Sequence, residues 1–116
     1  MDKLETVLAL FSGLYSDPAN VPLHHFRLFL AVGRCGQCRY RDLETELDLN
    51  NSSVSRSVNA LAQVHRNGKP GLDLITTFPD PEEGRRFIIT LTVKGRLLYK
   101  QIQQLTRHQN GSTKNS

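Results

Sequence analysis

The chain has 116 residues, 38% of them hydrophobic and none tryptophan, with 15 Lys and Arg against 11 Asp and Glu for a formal net charge of +4. That length accommodates one domain with a modest core. No apolar run approaches the roughly 20 residues a spanning helix needs, which excludes a helical membrane protein.

Near the N-terminus Lys3 stands between Asp2 and Glu5 with no small-residue cleavage site after it. We therefore expect no signal peptide, no membrane partner and a cytoplasmic location. Residues 3–15 carry Leu4, Val7, Leu8, Phe11, Leu14 and Tyr15, a stripe at helical spacing. Ser16-Asp17-Pro18-Ala19-Asn20 is a turn cluster. Pro22 can open a second helix, where its missing amide costs nothing. That helix runs through Leu23, Phe26, Phe29, Leu30 and Val32 and stops at Gly33 or Gly36. A short third helix covers Tyr40–Leu47, with Leu43 and Leu47 inward and its acids outward. Asp48-Leu49-Asn50 then turns tightly into a fourth, of about residues 51–64.

The fourth helix is the informative one. Asn50 or Asn51 can cap it. Val54, Val58 and Leu61 fall on one side at about 100° per residue, and Ser52, Arg56, Asn59 and Gln63 on the other. A solvated face usually mixes Glu with Lys; short hydroxyls, amides and one guanidinium match base edges and phosphates instead. An ordinary exposed helix rich in Ser and Asn is the alternative. Two helices joined by about three residues, the second polar outside, form the helix-turn-helix pattern.

After a flexible connection at 66–71, Leu74–Phe78 and Phe87–Leu91 are β-branched and aromatic. The prolines and glycine between them demand a loop, so the segment predicts a two-stranded wing with its tip at about 79–86. Thr92 can cap a last helix carrying Val93, Leu97, Leu98, Ile102 and Leu105 to about Arg107. Residues 108–116 lack apolar anchors and should be disordered. The fold expected for residues 1–107 is a single mainly α (α+β) domain. It is a winged helix-turn-helix with an added N-terminal helix and a C-terminal helix.

Charge is segregated along this plan. No acid lies between Asp48 and Asp73 and none follows Glu83, whereas Arg85, Arg86, Lys94, Arg96, Lys100, Arg107 and Lys114 do. Such a distribution suits a polyanion held by selected elements; a solvated basic surface is the other reading.

Three segments resemble the MarR family of bacterial winged-helix transcription regulators. Tyr40-Arg41-Asp42-Leu43-Glu44-Thr45-Glu46-Leu47-Asp48-Leu49 resembles the family's first helix of the reading motif. Asn51-Ser52-Ser53-Val54-Ser55-Arg56-Ser57-Val58-Asn59-Ala60-Leu61 resembles its recognition helix. Glu83-Gly84-Arg85-Arg86-Phe87-Ile88-Ile89-Thr90-Leu91-Thr92-Val93-Lys94-Gly95-Arg96 resembles the wing signature that leads into Leu-Thr-x-x-Gly. The chain departs from it at Glu83 (usually Asp), at Gly84 (often Arg), in a longer link at 65–70 and in short end helices.

The resemblance and the polar face together imply a sequence-specific regulator of double-stranded DNA. Ser52, Ser53, Ser55, Arg56 and Asn59 are the candidate contacts of the recognition helix. Arg56 suits a guanine edge or a phosphate and Asn59 an adenine edge; Ser52 and Ser53 suit phosphate at the helix start. In the wing, Arg85 either enters a narrow minor groove or pairs with Glu83, leaving the groove to Arg86. Arg39 and Arg41 either clamp the DNA backbone or are solvated. The apolar stripes of the first and last helices imply a homodimer packed through both ends, reading a roughly palindromic site. A winged-helix module that docks protein, with little DNA binding, is the alternative.

Cys35-Gly36-Gln37-Cys38 is a CxxC placed after a helix, in a turn. It lacks the strand-to-helix setting of thioredoxin chemistry and two further ligands with zinc spacing. Small structural thiols are the simpler reading, and redox sensing by Cys35 and Cys38 stays open because Arg34 and Arg39 flank them. No catalytic constellation can be assembled, so neither an enzyme nor a cofactor or metal is expected, and no effector ligand is named by the sequence.

Overall fold

The computed structural model describes residues 2–62 and 71–114, with side chains to Thr106. The elements are α1 (Lys3–Ser12), a single 3-10 turn (Pro18–Asn20), α2 (Leu23–Cys35), β1 (Gln37–Arg39), α3 (Tyr40–Leu47) and α4 (Asn51–Leu61). β2 (Ile75–Pro79), β3 (Phe87–Leu91) and α5 (Val93–Lys114) complete them. This is the mainly α winged helix-turn-helix expected from the sequence, although α1 stops at Ser12, short of the expected Tyr15, and four further differences concern the sheet and the later helices.

First, the sheet has three strands in the order β1-β3-β2, both pairings antiparallel, where the sequence predicts two. β1 pairs Cys38 with Ile89; three residues are too few to show an alternating pattern. Second, Pro79 belongs to β2 rather than to the loop. β2 is an edge strand, where a missing amide interrupts nothing. Third, α4 ends at Leu61, short of residue 64, because the chain turns extended at Ala62 (ψ 174°). Gln63 and the connection at 63–70 lie outside the described residues. Fourth, α5 continues to Lys114, past the boundary expected at Arg107, since lengthening an existing helix costs far less than starting one.

The other boundaries follow local chemistry. Pro22 is the N-cap of α2, and Gly36, at φ 85°, closes it. Asp48 takes the left-handed conformation (φ 56°) after α3, and Leu49 N bonds back to Glu44 O at 3.1 Å. Thr92 caps α5 through Gly95 N at 2.9 Å and donates its hydroxyl to Asp73 O at 2.7 Å. Gly95 is required by close approach, since a Cβ there would lie 2.0 Å from Leu74 O.

The core gathers where these elements converge. Leu28, Phe29 and Val32 of α2 meet Leu43 and Leu47 of α3, Val54, Val58 and Leu61 of α4, and Ile75 and Ile89 of the sheet. Val7 and Phe11 of α1 and Leu98 and Ile102 of α5 close the far side. Arg27 Nη2 donates to Leu47 O at 3.2 Å, and Arg34 pairs with Glu46, so α2 holds the C-terminal part of α3. The terminal stripes are thus divided. Their inner residues complete the protomer's core, whereas Leu4, Leu8, Val93 and Leu97 remain exposed.

Candidate nucleic-acid interface

The position of α4 is set by one cap. Asn50 Oδ1 accepts Ser53 N at 2.8 Å, satisfying an amide that the first turn leaves unpaired. Val54, Val58 and Leu61 are then fully buried, which fixes the rotation of α4. Ser52 and Arg56 emerge exposed, with Ser53, Ser55 and Asn59 half-buried beside them. The five predicted helix residues thus lie on or bordering one face, clear of the apolar interior. Ser57 does not join them. It is buried, and its hydroxyl donates to Ser53 O at 3.0 Å, so serine content overstates the polar face by one residue.

Asn51 Nδ2 donates to Glu44 Oε2 at 3.0 Å, drawing one α3 acid to the start of α4. Between there and the wing lies a shallow cavity lined by Arg39, Tyr40, Arg41, Glu44, Asn51, Arg86 and Phe87. Arg41 is exposed at its rim and makes no ion pair among the described residues.

Arg39, for which the sequence leaves a backbone clamp and a solvated position open, is ion-paired. Its Nε donates to Asp80 Oδ2 at 2.8 Å, and its Nη2 lies 3.7 Å from Glu82 Oε1. Asp42 Oδ2 accepts the Arg39 amide at 3.0 Å, capping α3. Asp80, which the sequence shows only as one more loop acid, is buried and is the receiving partner. Its Oδ1 accepts Glu82 N at 2.9 Å. That backbone bond, and after it the Arg39 guanidinium, hold its carboxyl below the ordinary carboxylate value against the opposing effect of burial. An acid between two prolines directly after a strand is the only sequence signal that marked it.

The wing tip is tied by Asp80 N to Arg86 O and Arg86 N to Glu83 O, each at 2.8 Å. The Glu83 partner is Arg86, Nε to Oε1 at 3.1 Å, and not Arg85 as one sequence reading has it. The backbone turn brings position 86 back over 83. Arg85 is left exposed at the tip without an ion pair among the described residues.

The two thiols lie within elements rather than in a plain turn: Cys35 is the exposed last residue of α2 and Cys38 is the buried middle residue of β1. Among the described residues no His, Cys, Asp and Glu group is arranged to hold a metal, and no helix is long and apolar enough to cross a membrane.

No protein-family model and no curated protein matches the sequence. Solved structures match its fold. A mutant MarR from E. coli complexed with operator DNA superposes with a TM-score of 0.62 at 15% identity, over 95% of this chain and 73% of that one. RV1404 from Mycobacterium tuberculosis gives a TM-score of 0.69 at 21% identity, covering 96% and 68%. The YusO protein from Bacillus subtilis gives 0.62 at 14%, covering 96% and 70%. At such identities what is shared is the architecture, and this chain has the winged-helix fold of MarR, RV1404 and YusO.

Proposed function

We propose that the chain is a sequence-specific regulator of transcription that binds double-stranded DNA as a dimer, with α4 in the major groove and Arg85 at the adjacent minor groove. The main support is the face of α4. Its apolar side is locked into the core, and what turns outward is Ser52, Arg56 and the edge of Asn59, with no carboxylate on the helix. The operator-bound MarR with the same fold adds to it. Arg85 and Arg41, both exposed and without an ion pair among the described residues, extend the cationic surface on either side, whereas Arg39 and Arg86 are committed to wing acids.

Dimerisation follows from what the monomer leaves uncovered. Leu4 is 61% and Leu97 62% exposed, and Leu8 and Val93 accompany them on the two terminal helices. These residues support a two-fold packing through α1 and α5, which would double the phosphate contacts.

The deciding measurement is binding to duplexes selected from a random pool, followed by fluorescence anisotropy over a salt series. A linear fall of log affinity with log salt, by about 0.9 for each phosphate neutralised, supports the reading. Absence of binding at low salt overturns it in favour of a protein-docking module.

A further inference from the structure

Four acids stand on α3 and directly after it, Asp42, Glu44, Glu46 and Asp48. Asp42 caps the helix by accepting the Arg39 amide, Glu46 pairs with Arg34, and Asp48 takes the left-handed turn. Glu44 is used differently. It is half-buried and pairs with no cation among the described residues, although Arg41 and Arg86 line the same cavity. Its carboxylate instead accepts Asn51 Nδ2 at 3.0 Å, across the turn from α3 to α4.

That bond decides which end of the Asn51 amide faces outward. A carboxylate can only accept, so the end beside Glu44 is nitrogen and the end turned away is Oδ1. Asn51 is the exposed first residue of α4, and its Oδ1 accepts no hydrogen bond among the described residues. A free asparagine can read adenine with both ends, donating to N7 and accepting from the N6 amine. Here the nitrogen is drawn to Glu44, and this corner of the proposed interface offers acceptors only. Phosphate is repelled there. Guanine and thymine turn acceptors into the major groove, and adenine sets its N7 acceptor beside its amine. Cytosine presents an amine with no acceptor next to it.

We propose that the Glu44–Asn51 pair selects cytosine at the base pair facing the start of α4. Asn51 Oδ1 accepts from the cytosine N4 amine, and Glu44 is the positioning residue that holds the amide in that sense. The inference rests on the reading that α4 lies in a major groove, where a helix-turn-helix sets the first residues of its second helix against base edges.

An acid beside a helix that carries none of its own thus has two effects of opposite sign. Its charge weakens attraction to phosphate on every duplex, and its bond to Asn51 sharpens the choice of base. Glu44→Gln separates them. Removing the charge strengthens attraction to any duplex, whereas the new side-chain amide can donate as well as accept, so the Asn51 amide is free to turn over.

The test selects duplexes from a random pool with the full chain, then with Asn51→Ala and Glu44→Gln, each checked for folding by circular dichroism. The position read by Asn51 is the one whose preference vanishes in Asn51→Ala. Cytosine at that position supports the proposal. So does binding at least about fivefold weaker when a pyrimidinone nucleotide without the amine replaces that cytosine. Glu44→Gln should bind a scrambled duplex at least as tightly as the parent, yet distinguish cytosine from pyrimidinone by less than about twofold. A different base at that position, no position that changes, or a Glu44→Gln chain with the parent's discrimination would each overturn it. Those results leave the DNA reading standing, because the parent still binds. A parent that binds no duplex overturns that reading and this inference together.

Discussion

Asp80, 2% exposed, receives the Arg39 guanidinium at 2.8 Å, so the strand that enters the wing is fastened to the residue that opens α3. The pair ties the start of α3 to the base of the wing, the two parts between which the proposed interface extends. Asp80→Asn removes an acid and raises the net charge by one, so charge alone would tighten binding to DNA. Loss of the fastening predicts the reverse, a weaker complex by anisotropy at fixed salt. The pH dependence has a definite sign. A carboxyl held below its ordinary value of 3.8 contributes stability that is fully present above that value. The contribution is lost as pH falls through the lowered one. Unfolding curves of Asp80→Asn should therefore lack the part of the parent's acid destabilisation that begins below about pH 4.

The arginines divide by their neighbours. Arg56→Ala should cost about 1–3 kcal/mol on the best duplex and relax base choice. Arg85→Ala should weaken binding to most sequences and flatten the salt dependence by about one unit of slope. Arg86→Ala, whose guanidinium is held by Glu83, should have the smaller effect of the two wing changes. Anisotropy with selected and scrambled duplexes checks all three.

The Asn50 cap carries the entry to α4. Asn50→Ala should lower stability by about 1 kcal/mol, read from urea unfolding, while Asn50→Asp, which keeps an acceptor for Ser53 N, should retain most of it.

Gly95 admits no side chain. Gly95→Ala would set a methyl 2.0 Å from a backbone oxygen, Leu74 O. The strain should exceed the helix propensity gained and lower stability by about 1–3 kcal/mol. Calorimetry against the parent measures it.

The exposed leucines of the terminal helices give a test of assembly. Leu97→Asp and Leu4→Asp place a charge on surface already open to water, so each monomer should remain folded by circular dichroism. Each should shift the sedimentation of the chain toward the monomer, and binding to a palindromic duplex should lose its two-fold stoichiometry.

The helices were legible because their patterns are local. Asn50 before Val54 and Val58, and Leu43 with Leu47 before Asp48, are periodicities and caps that need no knowledge of the rest of the chain. β1 was not legible, since Gln37-Cys38-Arg39 becomes a strand only when β3 lies beside it. The polar face of α4 could be read from the spacing of Ser52, Arg56 and Asn59, but the withdrawal of Ser57 depends on the packing of α4 against its neighbours. The division of labour among Arg39, Arg85 and Arg86 was hidden for a related reason. Ion pairing is a property of the fold, and the acid that decides it, Asp80, is separated in sequence from Arg39 by the whole reading motif.

Gly33 lies inside α2 with no side chain, and the Tyr99 ring of α5 occupies the space a Cβ would take, with its nearest carbons 2.4 Å from that position. Aromatic ring therefore rests on bare backbone, with no compliant methyl group between them to absorb a displacement. A twist of the C-terminal helix would therefore bear directly on α2, and α2 packs against both α3 and α4. A load on the outer end of this molecule would thereby reach the helices that carry the proposed interface.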